Sequence, residues 1–90
     1  MRHGGRPRLR RGVRLIADPL TGRAILLGPE RALLLDGPAH AIVALLDGTR
    51  TREEIVLALG AKAPRTRVLA DVEAFLEALA ARRLVEETPP

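Results

Sequence analysis

Two turn signals lie close together in the first third of the chain and restrict what can form there. "DPLTG" (18–22) places Asp, Pro and Gly where a tight turn needs them, and "GPE" (28–30) repeats the signal. The apolar segments around the turns (12–18, 23–27 and 31–35) are too short for helices. The spacing predicts an antiparallel meander of three short strands, which is stable only when its face packs against helices.

From residue 36 onward the apolar spacing becomes that of amphipathic helices. Asp36 can cap a first helix that Gly48 ends. "TREE" (51–54) is a capping box that starts a second helix, and a third helix runs from about residue 66 to 83. Three strands followed by three helices predict an α+β fold, a small winged-helix-like domain. The side chains expected to matter most for folding are Ile42, Leu46, Ile55 and Leu79.

The positive charge is concentrated at the beginning of the chain. The 90 residues are 47% hydrophobic, which suits one domain with one core, and the formal net charge is +4. Residues 1–17 hold six arginines and no acid, whereas residues 18–90 hold nine Lys/Arg against eleven Asp/Glu. We therefore predict a flexible basic arm over residues 1–11 and a nearly neutral recognition domain over residues 12–86.

The residue types present argue against catalysis. The chain has no cysteine, no serine and only two histidines, and its glycines are scattered as turn residues instead of forming a phosphate loop. We expect no enzyme activity, no metal site and no cofactor. No apolar run approaches the roughly 20 residues that cross a bilayer, and no signal-peptide core follows the basic start, so we expect a cytoplasmic protein with no membrane partner.

DNA binding is one alternative. Helices over 51–60 and 66–83 joined by a short turn resemble a helix-turn-helix, so the chain could be a winged-helix DNA-binding regulator that uses the Arg-rich arm and the third helix. The exposed face of that helix carries Asp71, Glu73 and Glu77, which repel phosphates. Nucleic acid is therefore the less favoured partner.

Peptide binding is the other alternative. The segment "ALLL" (32–35) has none of the Lys, Pro or inward charges that normally protect an edge strand. An extended peptide could pair with this edge and pack against the third helix. The leucines could instead fill the core from both faces, or a second copy of the chain could cover them in a homodimer. The residues alone give these alternatives about equal weight.

Three groups of residues resemble the PqqD-like family of pyrroloquinoline-quinone (PQQ) biosynthesis over about residues 7–85. They are Pro29-Glu30-Arg31 leading into an apolar strand, Leu45-x-Asp47-Gly48 followed by Arg50-Thr51 and Glu54-Ile55, and Asp71-Val72-x-x-Phe75-Leu76. The resemblance implies a noncatalytic chaperone, a recognition element for ribosomally synthesised and post-translationally modified peptides (RiPPs). Such a chaperone binds a short precursor peptide and delivers it to a radical S-adenosylmethionine (SAM) enzyme, which cross-links a Glu and a Tyr of that peptide.

The resemblance also implies where the peptide binds. In related domains it docks as an added strand along the third strand and against the third helix. Carried onto this sequence, the peptide-binding residues are Arg31, Ala32, Leu33, Leu34, Leu35, Val68, Leu69, Val72, Phe75 and Leu76. The chain departs from the family pattern in lacking an aromatic residue in the second or third strand and in having Leu46 where a cysteine often precedes Asp-Gly.

Overall fold

A computed structural model describes residues 5–89 of the chain. The elements are β1 (Arg6–Leu9), β2 (Arg14–Ala17), β3 (Ala24–Leu27), β4 (Ala32–Leu34), α1 (Gly37–Val43), α2 (Arg52–Leu59), α3 (Arg65–Ala81) and β5 (Val85–Thr88). Strands β2, β3 and β4 form an antiparallel sheet in that order, and β1 pairs with β5 in a second antiparallel sheet. The predicted α+β fold with a three-stranded meander and three helices is confirmed.

The predicted caps explain where the helices begin. The Asp36 carboxylate accepts a hydrogen bond from the Ala39 N–H at 2.8 Å and so caps α1. At α2 both bonds of the capping box form, because the Thr51 hydroxyl accepts from the Glu54 N–H while the Glu54 carboxylate accepts from the Thr51 N–H. These bonds satisfy amide groups that the first turn of each helix leaves without a partner.

One predicted helix end is wrong. Helix α1 ends at Val43 and not at Gly48. The Leu45 N–H bonds the Ile42 carbonyl at 3.0 Å, and tight turns carry the chain from there to Gly48. Gly48 itself has a φ of +82°, a conformation that favours glycine.

The prediction of a flexible arm is wrong for residues 6–9, which form β1. This strand pairs with β5 at the other end of the chain, in a register that places Leu9 opposite Val85. Pro7 is fully buried, and its carbonyl accepts a hydrogen bond from the Gly48 N–H at 3.1 Å. Residues 1–4 of the predicted arm lie outside the described residues.

Charge complementarity supports the pairing of the two chain ends. Arg8 in β1 and Glu86 in β5 are cross-strand partners, and their side chains form an ion pair at 2.8 Å. The Arg52 guanidinium from α2 makes two hydrogen bonds to the Glu87 carboxylate, at 2.6 and 3.0 Å. Acidic residues of β5 thus pair with arginines from β1 and from α2.

The core is aliphatic and lies between the helices and one face of the three-stranded sheet. The four side chains predicted to matter for folding are all buried, with Ile55 and Leu79 at 0% and 1% exposure. Helix α3 packs against α2 and β5. None of the helices within residues 5–89 is long and apolar enough to cross a membrane.

Candidate peptide-binding site

Strand β4 lies at the edge of its sheet with one side unpaired. At its two ends the Gly28 N–H donates to the Arg31 carbonyl at 2.8 Å, and the Leu35 N–H donates to the Ala24 carbonyl at 2.9 Å. Alternate residues of an antiparallel strand bond to the same neighbour, so the N–H and C=O groups of Ala32 and Leu34 point away from β3. We call these four groups the open edge. No strand within residues 5–89 pairs with them.

The side chains of β4 alternate between the two faces of the sheet. Leu35 is buried at 6% exposure, and Leu33 packs against the core. Leu34 points to the other face and is 54% exposed, and Ala32 is exposed on the same face. The run of leucines therefore serves the core with alternate residues, while the main chain between them remains accessible.

Most of the α3 residues that the family resemblance implies belong to the core. Val68, Val72 and Leu76 have exposures of 9%, 1% and 2%. Leu69 and Phe75 are only partly buried and lie at the borders of this apolar stripe. Leu69 and Phe75 are separated by six positions, which places them about 120° apart around the helix axis. They therefore lie on opposite sides of the apolar stripe.

Contacts of α3 indicate which border faces β4. Hydrogen bonding to Glu87 raises the pKa of the Arg52 guanidinium, and attraction to the Glu73 carboxylate adds to this rise. The Glu73 side of α3 therefore faces α2 and β5, and Leu69, one turn earlier, lies on that side. Phe75 lies on the other side, two turns before Arg82.

Arg82 lines a cavity of about 540 Å³ that joins the end of α3 to the turn before β4. We call it the basic cavity, and its lining residues are Arg10, Arg11, Pro29, Glu30, Arg31, Ala81, Arg82, Arg83 and Leu84. Because Arg31 and Arg82 share it, the flank of α3 that carries Phe75 leads toward the start of β4. We take the open edge and this flank as the two walls of a candidate groove.

The basic cavity was not predicted from the sequence. Arg10 and Arg11 fall in the predicted flexible arm, and Arg82 and Arg83 fall at the end of the predicted third helix. The signal was two Arg-Arg pairs near opposite ends of the chain, but only the pairing of β1 with β5 brings them together. No group of acidic, His or Cys side chains within the described part of the chain could hold a metal ion.

Comparison with solved structures defines the class of fold. The PqqD truncation of Methylobacterium extorquens PqqCD, described as a stand-alone RiPP recognition element, is similar with a TM-score of 0.75 and 40% identity over 89% of this chain and 87% of that one. TbiB1, solved in complex with the TbiA(beta) leader peptide, is similar with a TM-score of 0.76 and 26% identity over 92% of this chain and 99% of that one. The fold is that of a RiPP recognition element.

Sequence comparison identifies the family within that class. The family model described as "Coenzyme PQQ synthesis protein D (PqqD)" matches residues 23–85. A protein of Rhizobium meliloti (strain 1021) named "PqqA binding protein" is 43% identical over 81 residues, which are 88% of this chain and 83% of that protein. The chain belongs to the PqqD family, as its sequence motifs implied.

Proposed function

We propose that this chain is a noncatalytic chaperone that binds a short ribosomal precursor peptide of PQQ biosynthesis and delivers it to the radical SAM enzyme of that pathway. The peptide adds as a strand to the open edge of β4 and packs against the Phe75 flank of α3. Recognition resides on the surface formed by β4 and α3 of the folded domain. The site of action is the cytoplasm, where ribosomal peptides are made.

The open edge of β4 is the observation that carries this proposal. Its four main-chain groups can form hydrogen bonds with an extended peptide of any sequence, each contributing about 0.5–1.5 kcal/mol net. The side chains of the peptide then meet Leu33 and Phe75, both partly buried beside the core. Main-chain pairing supplies affinity, and these side-chain contacts supply selectivity.

Related proteins support the binding of a precursor peptide. A relative covering most of this chain is named for binding PqqA, and TbiB1, which shares the fold, was solved with a leader peptide. The identity of the peptide as PqqA rests on the family, whereas the mode of binding rests on the edge strand. A second copy of this chain is the competing occupant of that edge.

The DNA-binding alternative gains no support. Arg8, from the segment predicted to reach DNA, is ion-paired with Glu86 in a strand. Asp71 and Glu77 remain exposed on α3, where a recognition helix needs Arg, Lys, Asn or Gln. The related proteins are named for peptides and not for nucleic acid.

Backbone amide NMR titrations test the proposal. A synthetic PqqA peptide from the same genome is added to the full chain, and a random-sequence DNA duplex is added in a separate titration. We expect peptide-dependent shifts at residues 31–35 and around Phe75, with none of comparable size from the duplex. Shifts that are absent with the peptide, or that appear only with DNA, contradict the proposal. A concentration-dependent rise in mass without peptide indicates a homodimer at the edge instead.

A further inference from the structure

The basic cavity gathers more positive charge than the ion pairs of the fold neutralise. Five arginines and one glutamate line it. Arg10 also lies 4.0 Å from the Glu86 carboxylate, and the Arg82 guanidinium donates to the Ala78 carbonyl at 3.0 Å. Arg11, Arg31 and Arg83 have no ion pair or side-chain hydrogen bond within residues 5–89. Like charges held together without counter-charges repel one another, so the cluster does not contribute to folding stability. Such a cluster suits the binding of an anion.

Arg83 stands at a backbone position where glycine is the usual residue. The Leu84 N–H bonds the Leu79 carbonyl at 3.0 Å and the Arg83 N–H bonds the Ala80 carbonyl at 2.9 Å, which is the pattern of a Schellman cap. Arg83 occupies the left-handed position of this cap with a φ of +60°, where glycine is the preferred residue. It is the only non-glycine residue with positive φ among residues 5–89.

The position of the cavity connects it to the groove. It is lined by the residues just before β4 and by those just after α3, so both walls of the groove converge on it. Arg31, which lines the cavity, directly precedes β4, so a peptide paired with the open edge and continuing past Ala32 reaches the cavity. Asp71 lies at the other end of the Phe75 flank of α3. The groove is therefore negatively charged at the Asp71 end and positively charged at the basic cavity.

We propose that the basic cavity binds the acidic side chains of the same precursor peptide, next to the segment that pairs with β4. This inference rests on the proposed function and adds the chemical class of the peptide. An acidic segment beside the paired strand distinguishes one precursor peptide from the many others that could also pair with β4. Bidentate pairing of guanidinium with carboxylate provides the recognition. A nucleic-acid backbone is the competing ligand, disfavoured by the acidic face of α3 and by the presence of one aromatic residue.

Affinity measurements on the full chain test the inference. A fluorescein-labelled PqqA peptide is titrated with the wild type, Arg83→Gly and the Arg31→Gln/Arg83→Gly double variant. Arg23→Gln is the control, because Arg23 is equally exposed but lies at the β2–β3 turn away from the cavity. We expect Kd to rise about two- to fivefold for Arg83→Gly, the range for an exposed ion pair, and further for the double variant. The control leaves Kd unchanged, and all differences shrink in higher salt.

Stability measurements separate binding from folding. Arg83→Gly places glycine at a left-handed position, so the variant melts at the same temperature as the wild type or higher. A second peptide, with every Asp and Glu replaced by Asn and Gln, binds the wild type more weakly but discriminates little between wild type and double variant. Comparison of the two peptides on the wild type and on the double variant is a double-mutant cycle. It assigns the lost affinity to the arginine–carboxylate contacts.

The outcomes separate this inference from the proposed function. Undiminished binding of the acidic peptide by the double variant overturns the role of the cavity and leaves the edge-strand proposal intact. A wild type that binds neither peptide overturns both. Salt-sensitive binding of a DNA duplex that requires Arg31 and Arg83, without a matching effect on the peptide, assigns the cavity to nucleic acid instead.

Discussion

Replacing Ala32 with proline removes one N–H of the open edge with little change in side-chain size. In the free protein this N–H points away from β3 and bonds no group within residues 5–89, and proline is tolerated at such edge positions. The free energy of unfolding therefore changes little. Peptide affinity falls by about 0.5–1.5 kcal/mol for the lost hydrogen bond, which raises Kd roughly 2- to 13-fold. The proline ring also obstructs the added strand, so the upper part of that range is expected.

Strand β2 supplies a matched control because it forms the other edge of the same sheet. The Asp18 N–H bonds the Arg23 carbonyl at 2.8 Å, so the alternating register turns the N–H of Ala17 away from β3, as at Ala32. Ala17→Pro makes the same chemical change at the edge where no peptide is proposed. We expect unchanged Kd for Ala17→Pro in fluorescence anisotropy, with thermal melts confirming that both variants fold. Equal affinities for the two variants, or a loss confined to Ala17→Pro, refute the assignment of the peptide to β4.

Three further predictions concern the scaffold. Leu79→Ala removes a core side chain of 1% exposure and lowers the free energy of unfolding by about 2–5 kcal/mol, measured by urea denaturation. Thr51→Ala removes the hydroxyl that caps α2 and lowers the free energy of unfolding by about 1 kcal/mol in the same assay. The backbone N–H of Thr51 holds the pKa of the Glu54 carboxyl below its ordinary value, so this group stabilises the fold above its unfolded pKa. That contribution is lost as the pH falls through the folded pKa, and urea midpoints between pH 5 and pH 3 fall less steeply in Glu54→Gln.

Local signals allowed the central part of the fold to be predicted. Turn residues, the Asp36 cap and the Thr51–Glu54 capping box act over a few residues, so their consequences can be read from short stretches of sequence. The edge position of the third strand also follows from the short turns of a meander. In each case the interacting groups are close together in the chain.

Long-range pairing could not be predicted in the same way. "RPRL" combines arginine and proline, which are typical of loops, and becomes a strand only because the last strand lies beside it. The basic cavity depends on that pairing and so escaped notice as well. On α3, periodicity identified an apolar arc, but the attraction between Glu73 and Arg52 and the position of Arg82 in the basic cavity are what distinguish the Leu69 border from the Phe75 border.

The ribbon of β1 and β5 has a consequence for the order of folding. Its cross-strand partners Arg8 and Glu86 are 78 positions apart in the chain. Closing this contact in the unfolded state therefore costs about 2 kcal/mol more in chain entropy than closing either hairpin of the meander. Once the helices have packed, most of that loop is already closed. We therefore expect β1 and β5 to pair last during folding. During unfolding they separate first, before the sheet that contains the open edge.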